Sequence, residues 1–155
     1  MGEITIIKHC HGAIGLRVLG FGPNFSPCKA LTQLQNLLNE NTSWAKQRSL
    51  SEIKKTLCNS DAIVSVWRNN RIIGFGRASS DHVFRATLWD VVIKKDEQRN
   101  GLGKIIVTEL LKSKCLKNVE KIYLMTSDGK KFYEQLGFNS NTKQTLMIIN
   151  NSKYR

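Results

Sequence analysis

Apolar residues recur along this chain in two rhythms. Between Cys28 and about Asn41 they fall at Leu31, Leu34, Leu37 and Leu38, the three- and four-residue spacing that lines one face of a helix. A second helix is predicted from Ser49. Ser49 and Glu52 form a capping-box pair, Leu50, Ile53 and Leu57 supply the apolar stripe, and Asn59-Ser60-Asp61 stops it. The rhythm then changes. Ala62 to Arg68 alternates and is rich in β-branched residues, Asn69-Asn70 is a two-residue hairpin turn, and Arg71 to Ala78 is the return strand. A longer turn over Ser79 to Val83 leads to a third strand, Phe84 to Ile93, which ends in the run Val91-Val92-Ile93. Beyond a charged loop, Gly101 to about Lys114 reads as an amphipathic helix with Leu102, Ile105, Ile106, Leu110 and Leu111 inward. Ile122 to Met125 reads as a buried strand, Ser127 to Leu136 as a short helix stopped by Gly137, and Thr142 to Asn150 as a last strand. At the N-terminal end, Glu3 to Lys8 is a short Ile-rich strand, and Gly12 to Pro27 is an irregular glycine-rich loop. The order predicts a mixed α/β class, one central sheet with helices, in a single domain over residues 1–155.

Charge changes this picture more than composition does. Lys and Arg total 24 against 12 Asp and Glu, a formal net charge of +12, which attracts anions such as nucleic acid, acidic membranes or phosphate-bearing small molecules. The basic residues are scattered, and no block of like charge marks a basic tail. A Lys-, Asn- and Ile-rich composition also fits an AT-rich genome, which accounts for part of the charge without a function. Clustered Arg interleaved with exposed aromatics, the mark of an RNA-binding surface, is not visible, so nucleic acid is not expected as a partner.

Four cysteines, Cys10, Cys28, Cys58 and Cys115, have wide spacing with no CxxC pair and read as reduced thiols. His9-Cys10-His11 would place neighbours on opposite faces of a strand, so no metal is expected. No apolar run reaches the ~20 residues of a membrane helix, and Met1 to Lys8 lacks the features of a signal or transit peptide. A protein that stays where it is made, with no membrane partner, is the expectation.

The chemistry concentrates at Gln98-Arg99-Asn100-Gly101-Leu102-Gly103-Lys104, where a buried strand runs through a loop into a helix whose first turn holds two glycines. The first turn of a helix has unpaired N–H groups and a partial positive charge, and glycine lets backbone approach a ligand closely. Together they suit a pyrophosphate, with Arg99 and Lys104 adding charge. A Walker A loop is excluded because Ile105 follows Gly103-Lys104, and a dinucleotide fingerprint because the glycines do not follow the first strand. A glycine-rich helix entry without a ligand stays open at this point.

Gln98-x-x-Gly101-x-Gly103 after a Val-Val-Ile strand resembles the acetyl-CoA motif of the GCN5-related N-acetyltransferase (GNAT) family. About thirty residues on, Phe132-Tyr133-Glu134-Gln135-Leu136-Gly137-Phe138 is similar to that family's second signature. Residues 76–92, from Gly76-Arg77-Ala78-Ser79-Ser80-Asp81 to Thr87-Leu88-Trp89-Asp90-Val91-Val92, resemble the plastid and cyanobacterial branch, which includes plant plastid serotonin N-acetyltransferase. The resemblance implies a GNAT fold, with a mostly antiparallel twisted sheet and helices on both faces. It implies transfer of acetyl from acetyl-CoA to a primary amine, an arylalkylamine or a protein lysine or N-terminal amine, by direct attack. Together with the AT-type composition and the missing transit peptide, it suits a plastid location (chloroplast stroma, plastid-encoded), with the cytoplasm as the alternative; a monomer or homodimer is expected. A non-catalytic acyl-CoA-binding module is the competing reading.

Residue by residue, the resemblance assigns pantetheine pairing to the backbone of Val91, Val92 and Ile93 beside a strand bulge. It assigns the pyrophosphate to Gln98 through Lys104, and the general acid for the leaving thiolate to Tyr133, which otherwise reads as helix packing. The base is less determined. Thr87 stands where many relatives carry Glu, so Asp90 is the favoured base, with Asp81 and His82 acting through water as alternatives and a purely structural carboxylate also open. Trp67, Trp89, Phe75 and Phe84 read either as an aromatic acceptor pocket or as core.

Overall fold

The computed structural model describes residues 2–9 and 22–150. Cys10, His11 and residues 12–21, where most of the expected loop Gly12 to Pro27 falls, lie outside the described residues. The chain divides into two compact units, Met1–Met125 and Thr126–Arg155.

The first unit is built on five strands in the order β1-β2-β3-β4-β5: β1 (Ile4–His9), β2 (Ala62–Arg68), β3 (Arg71–Ser80), β4 (Arg85–Ile93) and β5 (Lys121–Tyr123). The first three pairings are antiparallel, and β5 joins β4 in parallel. Helices α1 (Ala30–Asn41) and α2 (Leu50–Cys58) cover one face. There Leu34, Leu37, Leu38, Ile53 and Leu57 bury against Ile63, Trp67, Phe75 and Val92. Helix α3 (Leu102–Leu111) packs on β2, β3 and β4 through the fully buried Ile106, Val107 and Leu110.

The expected capping box is present. Ser49 accepts from the Glu52 N–H at 3.2 Å, and the Glu52 carboxylate accepts from the Ser49 N–H at 2.7 Å. The Asn69-Asn70 turn joins β2 to β3, with Asn69 at φ 54°. Alternation in β2 does not translate into alternating burial, since residues 62–67 are all buried. With helices on both faces, neither side of this interior strand meets water.

Several segments differ from expectation. β3 runs on through Ser80 because Ser79 and Ser80 pair with Thr87 and Ala86, which shortens the turn. The strand expected over residues 122–125 is β5, shorter and shifted, and it is not buried: Lys121 and Tyr123 are exposed and Ile122 is half-buried. Helices α1 and α3 each trim their expected ends.

In the second unit the helix α4 (Lys130–Glu134) is followed by a turn closed by Gly137 at φ 91°. Phe138 N–H bonds back to the Tyr133 carbonyl at 3.1 Å. Residues 142–150, expected as a strand, form none; all are exposed. Their β-branched and apolar pattern carries propensity, but a strand exists only where a neighbour takes its backbone groups.

Candidate functional site

Strand β4 is distorted in its second half. Phe75 pairs with Val92 and Arg77 with Trp89, so Asp90 and Val91 together oppose the single residue Gly76. That is a bulge on β4, and Asp90 absorbs it with φ 52°, in the left-handed region. The ladder to β5 ends at the pair Thr87 and Tyr123. From Leu88 onward, the edge of β4 that would face a further strand is unpaired among the described residues. The edge of β4 around Val91 and Ile93 that turns away from β3 can therefore pair in strand fashion with the amides of an extended ligand, whereas Val92 pairs with Phe75 of β3 and the Ile93 carbonyl accepts from Gln98 Nε2.

Gly74 and Gly76 bring the helix that follows close to this strand. A Cβ on Gly76 would lie 2.6 Å from Ile106 Cγ2, and one on Gly74 2.8 Å from Ile93 Cδ1. β4 leads through the short 3-10 turn Lys95–Glu97 into Gln98 and the loop before α3. Arg99 has φ 65° and Gly101, the N-cap of α3, has φ 78°. The first loop or helix N–H after Gln98 to find a protein acceptor is that of Ile105, bonded to the Gly101 carbonyl at 3.1 Å. Among the described residues, the N–H groups of Arg99, Asn100, Gly101, Leu102, Gly103 and Lys104 have no protein partner. Arg99, Asn100, Gly101 and Lys104 are exposed, while Leu102 is buried and anchors the turn. Six consecutive free donors at a helix N-terminus form an anion nest. The loop also holds itself: Gln98 Nε2 donates to the Ile93 carbonyl at 3.2 Å. The Arg68 guanidinium grips the Glu97 carboxylate with bonds of 2.9 and 2.8 Å and the Gly2 carbonyl at 2.8 Å.

Asp90 is the buried carboxylate at the bulge; its side chain is 6% exposed. Its Oδ2 accepts from Arg77 Nε of β3 at 2.7 Å and pairs with Arg48 Nη1 at 3.1 Å. Oδ1 has no hydrogen-bond partner among the described residues. The two alternatives for the base stand elsewhere. Asp81 Oδ1 accepts from the N–H groups of Val83, Phe84 and Arg85 at 2.7–2.9 Å, which closes the β3–β4 turn and holds this carboxyl below its usual range. His82 Nε2 lies 3.1 Å from Asp61 Oδ1. From Arg85, the start of β4, to Asp90 is five residues of strand, about 16 Å. Thr87 sits in the ladder opposite Ser79 and Tyr123.

The four aromatics separate. Trp67 and Phe75 are core, and the cavity they share with His9 and Leu34 measures about 30 Å³, room for little more than one water and too small for an indole. Phe84 is exposed. Trp89 is half-buried, its Nε1 donates to Ser79 Oγ at 2.8 Å, and the Arg77 guanidinium lies 5.7 Å from its ring centre. A larger groove of about 980 Å³ lies at the β2–β3 turn, lined by Gln33, Arg68, Asn70 and Glu97. Its polar groups serve the fold: Gln33 bonds the Cys28 and Asn70 carbonyls and the Ile72 N–H, and Arg68 is taken up by Glu97. Neither Asp90 nor the anion nest lines it, so size alone does not mark the reactive site.

In the second unit, Tyr133 is half-buried and stacks edge-on with Phe132 and Phe138 at 4.9 and 5.8 Å. Burial pushes its phenol above the ordinary value of 10.0, which keeps the hydroxyl protonated and a donor at neutral pH.

Reasoning from sequence missed Arg48 and Arg77 as partners of Asp90. Arg77 lies within the quoted strand motif, but its register against the bulge is not written in the sequence. Arg48 lies between the first two helices, next to the Ser49 cap, and nothing in that local pattern points to Asp90.

The acetyltransferase (GNAT) family model matches residues 31–138, a span that includes both signatures. The uncharacterized N-acetyltransferase ycf52 of Pyropia yezoensis is 38% identical over 113 residues, covering 70% of this chain and 64% of the relative. GCN5-related N-acetyltransferase 2, chloroplastic, of Arabidopsis thaliana is 39% identical over 72 residues, 46% of this chain and 28% of that protein. A solved structure from Xanthomonas campestris pv. campestris, assigned to the GNAT family, superposes with a TM-score of 0.72 at 20% identity, covering 94% of this chain and 93% of that one. That likeness speaks to the fold. The chain spans less than two thirds of the length of the Pyropia relative. The chain belongs to the GNAT acetyltransferase family.

Proposed function

We propose that this GNAT-family chain is an acetyl-CoA-dependent N-acetyltransferase of the plastid, acting on a primary amine by direct attack. The run of unpaired N–H groups from Arg99 to Lys104, beside the unpaired edge of β4, carries the reading. These groups fit the two polar parts of acetyl-CoA. The nest has the charge and donor geometry for the pyrophosphate, and the edge around Val91 and Ile93 has the pairing capacity for the pantetheine amides. Bound acetyl-CoA supplies an activated acetyl thioester.

The chain's own groups do the rest. Backbone N–H groups at the bulge would stabilise the negative charge that develops on the thioester carbonyl oxygen. Asp90, whose side chain is buried and whose Oδ1 has no protein partner among the described residues, takes the proton from the attacking amine, directly or through one water. Tyr133, by its place in the second signature, donates a proton to the departing thiolate. The family match spans residues 31–138 and so includes parts of both units, which supports reading them as one acetyltransferase domain.

Acceptor classes are an arylalkylamine, such as serotonin, or a protein lysine or N-terminal amine. The deciding experiment follows free CoA with a thiol reagent, using purified protein, acetyl-CoA and a panel of serotonin, tryptamine, spermidine and lysine peptides. Turnover on the arylalkylamines supports the first class, and turnover on peptides alone moves the acceptor to proteins. CoA binding with no turnover on any amine overturns the enzyme reading in favour of a binding module.

A further inference from the structure

We infer that Arg48 is a positioning residue for the acetyl transfer. It fixes the Asp90 carboxylate at the β4 bulge from the segment that joins α1 to α2. The inference rests on the reading that Asp90 receives the amine proton.

Asp90 sits in a left-handed backbone conformation, so its side chain leaves the strand at an angle the regular ladder does not set. Two donors then fix it. Arg77 Nε, from the rigid neighbouring strand, holds Oδ2 at 2.7 Å, and Arg48 Nη1 holds the same oxygen at 3.1 Å from a different element. Both contacts converge on Oδ2, which leaves Oδ1 as the oxygen for the reacting amine. With Arg77 alone, the carboxylate keeps one bond about which to turn. With both, the rotamer is determined, and positioning of reacting groups to within an ångström is what transfer rates depend on.

Arg48 does this without carrying the fold of its own segment. The backbone there is held by other residues. Thr42 Oγ1 donates to the Leu38 carbonyl and accepts from the Ala45 N–H, Gln47 N–H bonds Asn39 Oδ1, and Gln35 Nε2 bonds the Arg48 carbonyl. The Arg48 side chain, 31% exposed, is available for Asp90. The same segment carries Trp44, which is 59% exposed.

The test measures kcat and KM for amine and for acetyl-CoA in wild type, Arg48→Gln, Arg48→Lys and Asp90→Asn. Arg48→Gln is expected to lower kcat between about tenfold and about a hundredfold. It should leave the KM for acetyl-CoA and the melting temperature near wild type, and Arg48→Lys should recover part of the loss. Wild-type kcat in Arg48→Gln, beside an inactive Asp90→Asn, overturns the role of Arg48 and leaves the proton-acceptor reading intact. Wild-type kcat in Asp90→Asn overturns that reading, and the inference with it. A second measurement is independent of turnover. In side-chain NMR, Arg48 Nη resonances should be resolved in wild type, because the ion pair slows guanidinium rotation, and should average in Asp90→Asn. Averaged Arg48 signals in wild type would also overturn the inference.

Discussion

Gly76 of β3 lies directly beneath Ile106 of α3, and a Cβ in its place would come within 2.6 Å of Ile106 Cγ2. Gly76 is also the single residue that faces the two-residue bulge of β4. One missing side chain thus serves both sides of the site: it lets α3 approach the sheet and leaves room where Asp90 and Val91 arch outward.

Gly76→Ala should therefore cost more than Gly74→Ala, although both glycines are buried in the same strand. The clash at Gly76 is with the stiff Cγ2 of a β-branched residue, whereas the contacts at Gly74 are with Cδ1 ends of Ile93 and Ile106, which turn away more readily. Overpacking of this kind costs about 1–3 kcal/mol. Urea denaturation of the two variants checks the order; equal midpoints would show that α3 shifts freely over the sheet.

The anion nest makes a separate prediction for ligand affinity. No atom lies within 4 Å of a Cβ placed on Gly101, so Gly101→Ala meets no clash; its cost comes from φ 78° alone, roughly 1 kcal/mol. Relief of that strain rotates the N–H groups that follow it. Calorimetric titration with CoA should show weaker binding by about an order of magnitude in Gly101→Ala, with a smaller loss in Arg99→Ala, whose contribution is screened at the surface. Unchanged CoA affinity in Gly101→Ala would remove the pyrophosphate assignment.

How much of this was legible in the sequence depends on whether a feature is local. The Ser49–Glu52 box and the Asn69-Asn70 turn involve residues within four positions of one another, and both form as their side-chain chemistry dictates. The helix entry at Gly101 was legible for the same reason. The Asp90–Arg77–Arg48 cluster was not, because it joins three elements whose alignment depends on a one-residue bulge. The extended reading of residues 142–150 failed in the other direction. A β-rich pattern states a preference, and pairing is a property of the neighbour.

Acid should loosen the structure through Glu97. Its hydrogen bonds to Arg68 hold the carboxyl below the ordinary 4.5, against desolvation, which acts in the opposite sense. A carboxyl depressed in the folded state stabilises it above the unfolded value and loses that contribution as pH falls through the folded value. Asp81, depressed by the backbone N–H groups of Arg85 and Val83, acts in the same direction from its own ordinary value of 3.8. Melting temperature should thus fall as pH is lowered below about 4.5, and Glu97→Gln should flatten part of that slope. An identical slope in Glu97→Gln would place the acid sensitivity elsewhere.

Tyr133 carries the last prediction, and the chemistry sets its form. A leaving thiolate of ordinary thiol basicity gains from a proton donor in the transition state, and general acid catalysis is worth about two to four orders of magnitude. Burial raises the Tyr133 phenol, so the donor form persists through neutral and mildly basic pH. Tyr133→Phe keeps the ring that stacks on Phe132 and Phe138 and removes only the hydroxyl. The expected result is a kcat lower by about a hundredfold, with the KM for acetyl-CoA and the melting temperature unchanged. A substituted acyl donor with a more acidic thiol should depend less on that proton, so the gap between Tyr133→Phe and wild type should narrow with such a donor. A gap that stays constant across donors would place Tyr133 in binding or packing, because only a proton donor to sulfur responds to how much the sulfur needs the proton.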